Sequence, residues 1–351
     1  MKNIFAYLRK NMMRWLPGVF ISLVAFGALY FLIKFQGQEA RIDFSVIKPA
    51  TMAAAVVLTL LSLVSKAMLW RTLLHNKPGF GKTFLIVNEG YLLNNIFPLK
   101  AGEVGRAVFM GKATGLGTLH VLSTVVIERA FDIAVAAGLF LATFPLVLGA
   151  EDSNKTMAVF SLTVIGAVFA LLYVMARYQE QVKKLIDRLG ERWHFIKSFV
   201  APKMEALLRG LTVLTDGRQF LLAVFWVVVT WVIWVSVYYV VLLSLNPEAP
   251  LWWGVFVDSF LALGAAVPSA PAGLGVYEAA LVGALSFFDI DVSVSLSYAL
   301  AMHLLQFVVT GIFGLIGLIK EKQSFSDLFV ELQRRDEGEV ENEGIHTQVV
   351  E

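Results

Sequence analysis

Six apolar runs of bilayer-crossing length, and a charged break lying between two of them, constrain this fold most. A helix needs about 20 mostly apolar residues to cross the hydrocarbon core. Trp15 to Lys34, Ala50 to Leu74, Leu119 to Leu148, Met157 to Ala176, Phe220 to Leu245 and Val294 to Ile319 each read as one crossing. Between the second and third runs lies Asn94 to Arg106, reading Asn-Asn-Ile-Phe-Pro-Leu-Lys-Ala-Gly-Glu-Val-Gly-Arg. A broken backbone facing lipid leaves peptide groups unsatisfied at several kcal/mol each, so such a stretch is buried in protein or lines a wet cavity. It is expected to form the floor of a polar site inside the membrane.

Composition supports an all-α polytopic membrane protein. Only 16% of the 351 residues are charged and 58% are hydrophobic, whereas soluble chains carry about a quarter charged residues. No Cys is present and only five His are scattered along the chain. Disulfides and thiolate chemistry are therefore excluded, and no metal-ligand cluster stands out. No Gly-rich phosphate loop precedes a Lys-Ser or Lys-Thr pair, so neither nucleotide, metal nor other cofactor is expected, and no nucleic acid.

Charge sets the expected orientation. Lys2, Arg9, Lys10 and Arg14 precede the first run, which reads as a retained helix rather than a removed signal peptide. The positive-inside rule puts that end in the cytoplasm, with Arg71, His75, Lys77 and Lys82 on the same side. Residues 177–218 carry nine basic and five acidic side chains. Val182, Leu185, Ile186, Leu189, Trp193, Ile196 and Val200 recur there at helical spacing, and the helix is expected to break at Pro202 and resume through Leu207, Leu208 and Leu211. This cytoplasmic segment either lies on the lipid surface or packs on the protein's own cytoplasmic face. The tail, 320–351, starts with Lys320 and Lys322, turns acidic and is expected to be disordered and cytoplasmic.

The transmembrane domain, 1–319, divides into halves 15–148 and 157–319 that share one grammar of span, span, broken hairpin, span. The hairpin arms are Phe84 to Phe97 with Glu103 to Met110, and Leu251 to Val267 with Ala279 to Phe288. The shorter arms fall well below a crossing. Pro98 and Gly102 break the first hairpin; Pro268, Pro271, Gly273 and Gly275 break the second. The charge assignment brings the hairpins in from opposite faces, the inverted repeat whose interrupted helices mark a binding site in many transporters. About six full spans plus two re-entrant hairpins are expected, or eight or more spans if the hairpins cross fully.

Several side chains are candidates for the site. Asn94 and Asn95 precede the break; Lys100 and Arg106 flank a helix start after Gly102 that suits a phosphate. Glu103 lies at i−3 from Arg106 and alternatively pairs with it. Glu128, Arg129 and Asp132 sit about ten residues into a span, where charges default to function and seek partners: Arg129 with Asp132, and Glu128 with Lys100 or Arg106. A purely structural ion-pair lock is the competing reading. Glu278 follows the second break and either accepts from a headgroup or caps the broken helix. Lys66, Asp258, His303 and Gln306 are further polar intrusions; His303 and Gln306 share a face and more readily explain an interhelical hydrogen bond.

Asn95-x-x-Pro98-x-Lys100-x-Gly102-Glu103-x-x-Arg106, then Glu128-Arg129-x-x-Asp132, then Pro268-x-x-Pro271-x-Gly273-x-Gly275-x-x-Glu278, together resemble the lysylphosphatidylglycerol synthase transmembrane, or flippase-like, family. The resemblance spans roughly Trp15 to Ile319. It implies lipid movement between leaflets. On that reading Lys100, Arg106 and Arg129 are expected to receive a headgroup phosphate and Glu103, Glu128, Asp132 and Glu278 to balance its charge, with Asn94 and Asn95 completing nine candidate contacts. The soluble aminoacyl-transfer domain of the full synthases has no counterpart here, so no catalytic residue is assigned, and Ala272 stands where the family often has Gly. The expected function is movement of a phospholipid or related lipid in a bacterial inner membrane. Rival readings are a factor for polyprenyl-phosphate-linked sugars and a membrane-embedded transferase. Beyond the lipid, a second copy or a lipid-synthesis enzyme is the partner expected.

Overall fold

In the computed structural model the described residues are 12–35, 41–149, 154–193, 215–267 and 269–321, with isolated positions 198, 204 and 208. Pro268, most of the stretch after Trp193 that includes Pro202, and the tail beyond Glu321 lie outside them. The expected break at Pro202 and the expected disorder of the tail therefore fall on residues not described.

Every regular element among the described residues is a helix. The first half comprises α1 (Met12–Phe35), α2 (Pro49–Leu73), the hairpin α3 (Phe80–Ile96) and α4 (Ala101–Thr114), and α5 (Thr118–Val147). The second comprises α6 (Asn154–Arg177), the short α7 (Gln179–Arg192), α8 (Gly217–Leu245), the hairpin α9 (Leu251–Ala265) and α10 (Val276–Ser286), and α11 (Val292–Lys320). Five of these, α2, α5, α6, α8 and α11, have the length and apolar character of membrane spans. At 1.5 Å per residue, the 24-residue α1 reaches about 36 Å.

The spans are apolar on the outside and polar within, as lipid demands. Leu221, Phe225, Val228 and Val232 recur at helical spacing along α8 and are all exposed. On α11 the exposed row is Leu304, Val308, Ile312, Leu315 and Ile319. Fully buried Thr59, Ser62, Thr83, Asn88, Ser123, Thr124, Ser259, Ser295 and Ser297 face inward instead. Many of these hydroxyls return a bond to a carbonyl of their own helix, as Ser62 does to Thr59 at 2.7 Å, which removes the cost of burying them. The amphipathic α7 keeps Leu185 and Leu189 exposed, and Trp193 just after it is exposed as well.

Helix packing obeys an exchange of the two halves. The second spans α2 and α8 pack on each other; α3 packs on α11, and reciprocally α9 packs on α5. The contacts of α2 with α8 run in opposite senses along the chain. Lys48 N donates to Ser244 Oγ at 3.1 Å, Thr230 Oγ1 to Ser65 Oγ at 3.0 Å, and Asn76 Nδ2 to Gln219 Oε1 at 3.3 Å. This equivalent pair is therefore antiparallel, as the geometry of an inverted repeat requires. The outer helices also cross between halves, but on non-equivalent partners: α6 packs on α5 of the first half, whereas α1 packs on α10 of the second.

The hairpin tips meet. Leu99 N donates to Ser269 O at 3.3 Å, and Lys100 Nζ donates to Ala266 O at 3.2 Å. From outside, Ser22 of α1 accepts the Ala270 N–H at 2.9 Å. Backbone groups at both breaks thus find partners from the opposite half or from α1, which is how such a break survives at membrane depth.

Candidate functional site

The first break is built around close backbone approach. Leu99 and Lys100 both adopt left-handed backbone, with φ of 60° and 57°, a conformation that costs about 1–2 kcal/mol for non-glycine residues. The chain then restarts as α4, with Gly102 laid directly on the Gly90 carbonyl of α3, where a Cβ would collide. Asn94 Oδ1 accepts from Gly102 N at 2.8 Å, and Asn95 Nδ2 donates to Thr310 Oγ1 of α11 at 3.1 Å. Both asparagines thus hold the hairpin, and neither lines the cavity described below.

The second break carries Ala272, Gly273 and Gly275 with φ of 57°, 76° and 84°. Glu278, in the first turn of α10, turns back to accept from Gly275 N at 2.7 Å. Its other oxygen meets His303 Nδ1 at 2.6 Å, and His303 Nε2 lies 3.0 Å from Ala272 O. The imidazole stacks on Tyr277, with ring centres 4.3 Å apart. Glu278 is 3% exposed, so it and His303 clamp the break from inside the protein.

Charge concentrates where α2, α4 and α5 converge. Lys66 Nζ lies 3.0 Å from Glu128 Oε1 and 2.8 Å from Asp132 Oδ2. Arg106 Nη2 lies 3.0 Å from Glu128 Oε2, with its guanidinium 4.9 Å from the Trp70 ring centre. Arg129 reaches Glu103 and Glu128 at 3.2 Å each and Asp132 at 3.4 Å. Three cations and three carboxylates therefore form one connected cluster. Its members divide by depth: Glu128 is fully buried and Arg106 is 3% exposed, while Arg129 remains 31% exposed.

This cluster borders a cavity of about 490 Å³ between the halves. The first half contributes Lys66, Tyr91, Lys100, Glu103, Arg129 and Asp132. The second contributes Trp231, Trp234, Tyr238, Tyr277, Asp258 and Gln306. Tyr238 and Tyr277 hydroxyls lie 3.1 Å apart, and Gln306 Nε2 donates to both. One wall is thus charged and the other aromatic, carrying the single carboxylate Asp258. Lys100 is the lining cation that enters no ion pair among the described residues; its ammonium meets only a carbonyl.

Of the nine candidates, Lys100, Glu103, Arg129 and Asp132 line the cavity; Arg106 and Glu128 stand behind it as the buried part of the cluster. Asn94, Asn95 and Glu278 hold the breaks. Arg129 pairs with Asp132 as the spacing suggests, and of the two first-hairpin bases expected for Glu128 it is Arg106 that meets it; Glu103 meets Arg129 rather than Arg106. Lys66 joins the cluster from 62 residues upstream of Glu128, and its lone charge inside an apolar run was the signal. The aromatic wall gave no such signal, because Trp and Tyr in a span read equally as packing or interface.

The lysylphosphatidylglycerol synthase TM region family matches residues 15–314, and the chain belongs to that family. A UPF0104 membrane protein of Methanocaldococcus jannaschii is 27% identical over 230 residues, which is 64% of this chain and 92% of the relative. A second from the same organism is 22% identical over 285 residues, covering 77% and 84%. A UPF0104 membrane protein of Methanothermobacter thermautotrophicus is 22% identical over 342 residues, covering 90% and 96%. No solved structure matches the chain.

Proposed function

We propose that this multi-pass membrane protein moves a phospholipid or related lipid between leaflets, passing the headgroup through the cavity between its two hairpins. The single observation that carries the reading is Lys100, a cation on the cavity wall with no carboxylate partner among the described residues. Beside it the half-exposed Arg129 presents a guanidinium suited to two phosphate oxygens. Glu103, Glu128 and Asp132 hold that guanidinium in place and keep the wall polar.

The cavity volume lies within the range of small-ligand pockets, about 300–1,000 Å³, which fits a headgroup with its acyl chains left in the bilayer. A headgroup crossing here exchanges water for fixed charges and avoids hydrocarbon, where a bare charge costs at least 2.5–3.5 kcal/mol by insertion scales. The inverted packing supplies two faces between which such a site alternates. Basic residues before α1 and after α11 support an orientation with both ends in the cytoplasm, and a cytoplasmic membrane is the proposed location.

The test is leaflet exchange of labelled phospholipids in proteoliposomes, read with a membrane-impermeant quencher. Removing one charge-assisted contact worth about 1.5–3 kcal/mol lowers the rate about tenfold or more in Lys100→Ala, and Arg129→Ala behaves alike. Unchanged exchange in both variants sinks the reading. A parallel arm with a polyprenyl phosphate distinguishes the cargo, and covalent product without exchange points to a transferase.

A further inference from the structure

We propose that Asp258 is a proton-binding site in the cavity wall, and that Glu89 is its counterpart in the first half. Asp258 lies on α9, is 6% exposed and lines the cavity. Its Oδ2 has no hydrogen-bond partner, and no ion pair among the described residues includes it. Glu89 lies on α3, is fully buried, and has both oxygens without a partner. Glu89 stands nine residues before Pro98 and Asp258 ten before Pro268, so each long hairpin arm carries one uncompensated carboxylate at matching depth.

Neither carboxylate is paired with a cation among the described residues. Facing Asp258 are Asp132 of α5, Tyr238 of α8, Tyr277 of α10 and Tyr298 of α11, which bring a like charge and neutral hydroxyls. Across the cavity Lys66 and Arg129 are paired with Glu128 and Asp132, and Lys100 donates to the Ala266 carbonyl and forms no ion pair with Asp258. Near Glu89 the charged group is Glu321 at the end of α11, held by Lys82 at 3.6 Å. Arg106 of α4 passes beside Gly90 but is committed to Glu128, as is Lys66 of α2. An ionised carboxylate buried without a partner is among the most costly states in a membrane protein, and taking up a proton removes that cost. A metal cation is a poorer fit, because it calls for about six oxygen ligands and no three His, Asp or Glu are placed to hold one among the described residues.

Protonation also sets the charge of the cavity, a step that rests on the headgroup reading above. Lys66, Lys100, Arg106 and Arg129 against Glu103, Glu128 and Asp132 leave one net positive charge. With a proton on Asp258 that charge is free to receive a phosphate monoanion; once the proton leaves, the carboxylate cancels it and favours release. Proton and anionic headgroup therefore bind together and leave together. Glu89, buried against Gly317 of α11 and outside the cavity lining, holds the corresponding position in the first half.

Dicyclohexylcarbodiimide, a lipid-soluble reagent that needs the acid form of a carboxyl, tests the site in the purified protein. Peptide mapping should find the adduct on Asp258, fading as pH rises, and none on Glu128. In the infrared, a protonated-carboxyl band should disappear in Asp258→Asn. No adduct on Asp258 at any pH at which the protein stays folded, together with an unchanged band in Asp258→Asn, overturns the proposal. Coupling is read separately: an imposed proton gradient should change phospholipid exchange several-fold in the wild type and not in Asp258→Asn, and indifference of both proteins to the gradient overturns it. If Asp258 titrates while no lipid moves, the cargo reading fails and the proton site stands.

Discussion

The two hairpins are equivalent in the repeat and opposite in chemistry. In the first, the break is held by neutral amides, Asn94 and Asn95, and its charges turn into the cavity or just behind it. In the second, the break is held by a carboxyl–imidazole clamp, Glu278 with His303, and its cavity side is aromatic. Each half therefore spends its carboxylates differently: one on a shared cluster at the site, the other on its own backbone. A repeated fold supplies two breaks at matched depth, and divergence of a few side chains turns the space between them into a cavity with one charged and one aromatic wall.

That contrast predicts unequal costs. Glu128→Ala leaves Arg106 and Lys66 buried beside too few negative charges, and removing one partner of a buried pair costs about 3–5 kcal/mol. It should give the largest drop in thermal unfolding temperature in detergent. Next, Gly102→Ala drives a methyl into the Gly90 carbonyl, and such overpacking costs about 1–3 kcal/mol; a variant as stable as wild type shows that the first hairpin has slack. Glu278→Ala removes a cap and strands His303 without removing a multiply shared charge, so it should cost less than Glu128→Ala. The reverse order would break the comparison. Smallest is Ala272→Gly, which relieves a left-handed alanine and should stabilise by up to about 1 kcal/mol, the left-handed penalty less the added freedom of the unfolded chain.

Legibility from sequence follows the range of the physics. Pro98 with Gly102, and Pro271 with Gly273 and Gly275, announce their breaks because backbone restrictions act within a few residues. Glu128, Arg129 and Asp132 announce themselves because charge at that depth is rare. The partner of Glu128 is less legible, since Lys66 sits on another helix and spacing within α5 says nothing about which face α2 presents. Asp258 looked like one more intrusion, and its lack of a partner is visible only once every neighbouring helix is in place.

The sequence by itself determined the membrane class, the positions of the spans and the paired broken arms, because bilayer thickness and backbone hydrogen bonding bound each segment separately. It also determined the family, through motifs whose spacing survives in the chain. Tertiary structure alone decided which charges meet, which asparagines and glutamate turn inward to hold backbone, and where the cavity opens. Those outcomes depend on how each helix is rotated about its axis: successive side chains differ by about 100°, so a small turn carries a residue from lipid to site, and packing against distant segments sets that turn.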